Sequence, residues 1–198
     1  MYRHWDERYR ESDFVYGKEP NDFFKECLND LLSGKLLLAA EGEGRNAFWA
    51  LQQGFEVKAY DSSSVGKNKA LALAVGYENT FDYQIASHLG YKCPKESIDV
   101  LGIIYAHIES KHRRLVHQSL ADSLKSGGHL ILEAFSKEQL GNTTGGPKSI
   151  DLLYDLEEVK SDFPGFYWKL SRSQSRYLNE GKYHQGKAEV IQLFGRKQ

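Results

Sequence analysis

The stretch KLLLAAEGEGRN, residues 35–46, sets the fold class. Leu36, Leu37, Leu38, Ala39 and Ala40 form a short apolar run of the kind buried on both faces of a parallel sheet. Glu41, Gly42, Glu43 and Gly44 must then turn the chain sharply. Glycine there removes the Cβ penalty on positive φ and lets a ligand approach the backbone. Residues 45–53 follow with Ala47, Phe48, Ala50 and Leu51 at helical spacing. Strand, glycine turn and helix together point free N–H groups at a ligand. A second strand over 56–60 ends on Asp61, where a carboxylate can accept hydrogen bonds from both hydroxyls of a ribose. Gly42-x-Gly44-x-x-Ala47 also fits a dinucleotide fingerprint, and an ordinary strand-to-helix corner uses glycines in the same way. The order of turn, helix and terminal acid favours a cofactor that carries a nucleoside.

A chain of 198 residues suits one domain with a full core. Its net charge of −1 gives no general electrostatic case for a nucleic-acid or membrane partner. Cys27 and Cys93 are far apart and suggest neither a disulfide framework nor a metal site. No apolar run reaches the length of a membrane span, and the first residues carry no apolar signal core. A soluble, cytoplasmic protein is expected, monomer or homodimer being left open.

From the N-terminus, Trp5 and Tyr9 share a face if residues 3–11 are helical, and Phe14, Tyr16 and Gly17 follow. This aromatic segment is either a cover over a bound cofactor or an arm packing its rings on the core. Asn21 is predicted to cap a helix to about residue 32, ended by Gly34. Ser62, Ser63 and Ser64 offer caps for a helix to about 75, and residues 81–86 read as a third strand with Ser87 and His88 at its end. Residues 98–106 form the second strongly apolar strand, and His107 lies where it leaves the sheet. Ser110 can cap a helix to about 125, and Gly127-Gly128 turns into a strand over 129–134. This alternation predicts a mainly parallel, Rossmann-like α/β sheet with helices on both faces. Its ligands bind outside the carboxyl ends of the strands, the edge that holds Gly42, Asp61, Ser87, His107 and Phe135. The polar, glycine-rich residues 136–150 are either a solvated loop or part of the cover. A helix over 151–161 and a closing pair of strands over 166–178 and 188–194, turned by Glu180-Gly181-Lys182, complete a single domain of residues 1–198. Within it, 1–34 are cover and helix, 35–135 the cofactor-binding core, and 136–198 the loop, helix and hairpin.

Trp5-Asp6-x-Arg8-Tyr9, Tyr16-Gly17-Lys18-Glu19-Pro20-Asn21, Gly42-Glu43-Gly44-Arg45-Asn46, Gly54-Phe55-x-Val57, Tyr60-Asp61 and Lys125-Ser126-Gly127-Gly128 extend over nearly the whole chain. In these residues the sequence resembles the class I S-adenosylmethionine-dependent methyltransferases, nearest the branch of tellurite-resistance and thiopurine-type enzymes. The resemblance implies a seven-stranded sheet with the last strand antiparallel, S-adenosylmethionine as cofactor, S-adenosylhomocysteine as product and a small-molecule methyl acceptor. It implies that Gly42 and Gly44, with Arg45 and Asn46 beside them, let the backbone approach the amino-acid part of the cofactor and that Asp61, next to Ser62, holds the ribose; Glu41, three residues past the acid the family pattern expects, is a further candidate for the cofactor's ammonium. Ser87 and His88 would flank the adenine, Tyr105 to His107 would border the methionine end and the acceptor, and Trp5, Tyr9 and Tyr16 would cover the site. Three places depart from the family pattern: Leu38 stands where an acid usually ends the first strand, Ala40 where the first glycine of the turn usually lies, and Ser87 or His88 near where an acid usually ends the third strand and contacts the adenine amino group.

A methyl sulfonium is already activated, so orientation carries much of the catalysis and a general base is needed only for a protonated acceptor. His107, at a strand end, and His184, in the terminal hairpin, are the catalytic candidates, with Glu133 and Lys148 behind them. His112 and His117 are expected at the surface or the edge of the core. No cluster has metal-ligand spacing, and no Gly-x-Ser-x-Gly turn is present. The expected function is methyl transfer to a small molecule, whether chalcogen oxyanion, thiol, amine or hydroxyl. The alternatives are a nicotinamide-dependent oxidoreductase and a non-catalytic protein that binds the cofactor on this scaffold.

Overall fold

A computed structural model describes residues 2–11 and 13–198. The elements are α1 (Tyr2–Tyr9), α2 (Asp22–Asn29), β1 (Lys35–Ala39), α3 (Arg45–Gln52), β2 (Glu56–Asp61), α4 (Ser64–Leu73), β3 (Phe81–Ile85), β4 (Ile98–Ile104), α5 (Ser110–Ser123), β5 (Leu124–Phe135), α6 (Leu156–Asp162), β6 (Phe166–Asn179) and β7 (Gln185–Lys197). Seven strands form one sheet in the order β3-β2-β1-β4-β5-β7-β6. Only β7 is reversed: it pairs antiparallel with both β5 and β6, while the other pairs are parallel. The Rossmann-like sheet and its closing hairpin are those expected from the sequence. Chain order reverses between β1 and β4, so a crevice opens at the carboxyl ends of these neighbours.

The apolar run of β1 is buried on both faces. Leu37 and Ala39 join one core layer with Leu101, Ile103, Leu130 and Leu132. Leu36 and Leu38 join the other, with Phe24, Leu51, Val57 and Ile131. Leu38 pairs in register with Gly102 on β4, where a Cβ would lie 2.5 Å from Leu38 Cδ2 and 3.3 Å from the Phe24 ring. The position where an acid is usual therefore points into the α2 layer and fills the space that Gly102 leaves.

Several boundaries moved, each with a local cause. Asn21 does cap α2, its side chain accepting from Phe24 N–H, and Ser63 caps α4 by accepting from Gly66 N–H. Ser110 does not cap α5: Glu109 holds that position without a side-chain cap bond, and the Ser110 hydroxyl donates to Asp151 instead. The helix expected from 151 starts at Leu156, because Asp155 accepts from the N–H groups of Glu157 and Glu158 and nucleates it there. His117 is fully buried, against expectation, stacked on Phe163 with Nδ1 2.8 Å from Asp162. Arg113, Val116, His117 and Leu120 are the inward stripe of α5, a register set from 113 rather than from 112.

Gly102→Ala should cost about 1–3 kcal/mol by urea unfolding, since the added methyl must displace Leu38. The Leu38→Ala/Gly102→Ala double variant should lose less than the two single losses added together, as coupled neighbours do. Strict additivity would show that the two positions do not share that space.

Candidate active site

The crevice is a cavity of about 380 Å³ at the carboxyl ends of β1, β2 and β4, within the range of small-ligand sites. On its β1 side three residues turn in the left-handed region: Ala40 at φ 55, Gly42 at φ 60 and Gly44 at φ 90. A Cβ on Gly42 would lie 2.5 Å from the Tyr9 hydroxyl oxygen, and one on Gly44 would lie 2.5 Å from Ala70 Cβ. Both glycines are therefore required by space as well as by φ. Ala40, where the family pattern has glycine, keeps the same backbone conformation at a steric cost of about 1–2 kcal/mol.

Gly44 caps α3 and has no side chain to offer the helix N-terminus. Glu41 supplies the missing acceptor: its carboxylate takes the Ala47 N–H at 2.8 Å, with the Asn46 amide at 3.4 Å. Burial pushes the Glu41 pKa up to about 7, against the pull of those donors. Arg45, the next cation along the chain, engages Glu180 rather than Glu41, which leaves an unpaired acid on the cavity wall. Asp61 at the end of β2 accepts from Gly42 N–H at 3.1 Å and Ser63 N–H at 2.8 Å. Burial raises its pKa while those N–H groups oppose the rise. Ser62 lines the cavity beside it.

The N-terminal segment forms the roof. Asp6 accepts from the Ser63 hydroxyl at 2.6 Å and from Val65 N–H at 3.2 Å, which fastens α1 to the N-terminus of α4. Trp5 stacks on Tyr9 on one side, 5.7 Å between centroids, and on His107 on the other, at 5.9 Å. Tyr16 accepts from Arg8 at 3.1 Å and packs 4.5 Å from the His184 ring. Trp5, Tyr9 and Tyr16 all line the cavity, and Tyr9 is buried as well, so the arm serves as cover and as core. The loop of residues 136–150 contributes no lining residue; its Gly145 packs against the Cδ2–Nε2 edge of His184 instead.

The far side of the cavity carries Ser87, His88, Tyr105, His107 and His184. Burial lowers the pKa of His107 to about 3, aided by the neighbouring His184 and His88, and burial lowers that of His88 to about 4. His88 Nδ1 lies 3.1 Å from the Tyr60 hydroxyl. Tyr105 sits at φ 51, a strained conformation for an aromatic residue, and stacks on Phe135. Its hydroxyl donates to Glu133 at 2.5 Å.

Behind this wall is a buried set of charges that sequence patterns do not bring together. Glu133 accepts from Tyr105, from Arg176 at 2.6 and 2.9 Å, from the Asn21 amide at 2.8 Å and from Gln192. Glu180 accepts from Arg45 at 2.8 Å and from the same Asn21 amide at 3.1 Å, with His184 Nδ1 at 3.3 Å. A lone acid in the apolar strand HLILEAF was the one signal for Glu133; Glu180, Arg176 and the bridging role of Asn21 left none. Lys148 is exposed and away from the cavity.

The geometry has counterparts among solved structures. TehB from Haemophilus influenzae superposes with a TM-score of 0.73 at 11% identity, over 98% of this chain and 66% of that one. An S-adenosylmethionine-dependent methyltransferase from Mesorhizobium loti gives 0.62 at 14%, over 87% and 96%. The [4+2]-cyclase SpnF gives 0.69 at 14%, over 93% and 88%. The chain has the class I methyltransferase fold. Neither a family model nor a curated protein sequence matches it.

Ala40→Gly should stabilise this methyltransferase-fold protein by about 1 kcal/mol in urea unfolding, because it removes a left-handed Cβ. Unchanged or lower stability would show that Ala40 is not strained. Glu41 predicts a pH effect of definite sign. Its folded pKa of about 7 exceeds the ordinary glutamate value of 4.5, so the folded state holds a proton that the unfolded state has lost between those limits. Stability therefore falls as pH rises from 4.5 through 7, by an amount of order 2–3 kcal/mol. Glu41→Gln should flatten that fall in urea midpoints measured at pH 5 and pH 8, and an identical fall in the variant would assign it elsewhere.

Proposed function

We propose that the protein transfers a methyl group from S-adenosylmethionine to a small-molecule acceptor. The observation that carries this is the roofed cavity at the β1/β4 switch point, with Glu41 and Asp61 on one side and aromatic and imidazole rings on the other. The cofactor bears an ammonium and a sulfonium, and this wall suits both. Glu41 has no cationic partner among the described residues, Asp61 is fixed by two backbone N–H groups, and the rings of Trp5, Tyr9 and Tyr16 line the same space. Gly42 and Gly44 leave room for the amino-acid part, Asp61 with Ser62 would hold the ribose, and Ser87 and His88 would flank the adenine. When bound, the cofactor supplies an electrophilic methyl carbon. The chain's own work is then to seat the acceptor in line with that carbon and to keep water out. The roof from Trp5 to Tyr16 and the wall from Tyr105 to His107 serve that end.

The M. loti methyltransferase supports the choice of chemistry, and the SpnF cyclase marks the second reading, in which the same scaffold serves another reaction or none. Leu38 and Ala40 favour that second reading only if they weaken cofactor binding. A nicotinamide enzyme has less support, since the antiparallel β7 and β6 close the edge of the sheet beyond β5.

Calorimetric titration with adenosylmethionine, adenosylhomocysteine and NADH separates these cases. Micromolar binding of both adenosyl ligands and none of NADH is expected. Asp61→Ala should weaken that binding roughly 10- to 100-fold, the worth of hydrogen bonds to a charged acceptor. Binding of NADH alone would point to the oxidoreductase, and binding of none would point to a scaffold without this cofactor.

A further inference from the structure

Among the described residues, Arg45 is the one cationic side chain lining the cavity, and its guanidinium is committed to Glu180 at 2.8 Å and to the Tyr16 carbonyl at 3.3 Å. Glu41, Glu43, Asp61 and Glu109 also line it, Glu43 being paired with Lys69. The chain therefore offers an anionic acceptor no free cation among the described residues lining the cavity, so the only positive charge it would meet is the cofactor's own. The cavity is suited to an uncharged acceptor.

An uncharged hydroxyl or thiol must lose a proton as it is methylated, and one histidine is arranged to take it. Glu180 lies under His184, and its carboxylate pKa is held at about 2: burial opposes ionisation, but Arg45 and His184 outweigh it. An ionised carboxylate only accepts, so the 3.3 Å contact places the hydrogen on His184 Nδ1 and leaves the lone pair on Nε2. The ring is wedged between Tyr16, Tyr105 and Phe135, with centroids 4.5, 4.8 and 5.2 Å away. The other cavity histidines lack this arrangement. His88 meets a tyrosine hydroxyl, His107 lies against Trp5, and His112 is 4.0 Å from Glu109 at the half-exposed rim.

We infer that the acceptor is an uncharged hydroxyl or thiol compound whose proton passes to Nε2 of His184, with Glu180 as the positioning residue that fixes the imidazole; this rests on methyl transfer being the reaction. As the acceptor oxygen or sulfur bonds to the methyl carbon, its O–H or S–H bond breaks and the proton joins Nε2. The methyl–sulfur bond breaks with its electron pair left on sulfur, giving the neutral thioether. The imidazolium, held against Glu180, afterwards returns its proton to solvent.

The test has three arms on the full chain. Nitrogen-15 NMR of the imidazole rings, with His184→Gln used for assignment, should show the neutral Nδ1–H form of His184 in the free protein. In Glu180→Gln the ring should become a mixture of tautomers. Transfer of labelled methyl from adenosylmethionine should reach phenol or benzyl mercaptan, which tell a hydroxyl from a thiol acceptor and are both uncharged at neutral pH, in preference to benzoate and selenite. His184→Gln should lower kcat roughly 10²- to 10⁴-fold with the acceptor KM and the adenosylhomocysteine affinity nearly unchanged. Glu180→Gln should lower kcat in the same sense; if it does not fold, His184→Gln, which leaves the Arg45–Glu180 pair intact, carries the test. An Nε2–H tautomer in the free protein, wild-type kcat in His184→Gln, or a preference for the anions would overturn the inference. So would absence of transfer to both phenol and benzyl mercaptan in a protein that binds adenosylhomocysteine, and that result leaves the cofactor assignment standing. Failure to bind adenosylhomocysteine removes the methyltransferase reading itself.

Discussion

Burial of charge is the constraint on which the site depends. Two arginines, Arg45 and Arg176, and two glutamates, Glu133 and Glu180, lie together beneath the cavity wall and are bridged by the Asn21 amide. Their formal charges cancel. Each ion withdrawn from water is costly unless its partners stand at hydrogen-bonding distance, and deleting one partner from such a pair costs about 3–5 kcal/mol. The four ions come from α3, β5, β6 and the turn after β6, and Asn21 from the cap of α2. None of these elements can shift without exposing an unpaired charge to an apolar interior. The hairpin is thereby fixed against the glycine turn, and Tyr105 and His184 take their places from it.

What was legible in the sequence follows from this division. β1, the turn at Gly42 and Gly44, and Asp61 are local: an apolar run, two glycines and a terminal acid within one βαβ unit are visible in order. The reversed final strand was legible from the paired apolar runs around Glu180-Gly181-Lys182. The hairpin extends further than expected, Phe166–Asn179 against Gln185–Lys197, because alternating polar residues at its ends still pair through the backbone. Arg45 and Glu180 are 135 positions apart, and no periodicity joins them. The same holds for His117 and Asp162, whose pairing is set by how α6 lies on α5. Local patterns place elements and their buried faces; they carry little information about which charges meet.

Two of the three non-glycine residues with left-handed backbones among the described residues lie at the same edge, the third being Glu96 in the turn before β4. Ala40 and Tyr105 follow the neighbouring strands β1 and β4, both have left-handed backbones without being glycine, and both line the cavity. Residues in such conformations persist where the surroundings over-determine them. Here the surroundings are the Glu41 cap on one side and the Glu133 hydrogen bond on the other. The wall of the cavity is thus held rigid at the two strand ends that flank the switch in chain order.

The contact between Leu38 and Gly102 has a consequence for the history of the chain. A side chain at 102 and a leucine at 38 compete for one volume, so neither position is free to drift while the other stays as it is. A lineage that exchanges an acid for leucine at the end of β1 gains a larger apolar core but must keep a bare backbone on the next strand. A side chain at 102 therefore requires a smaller residue at 38, so the leucine of this variant turn comes with a bare backbone position on β4.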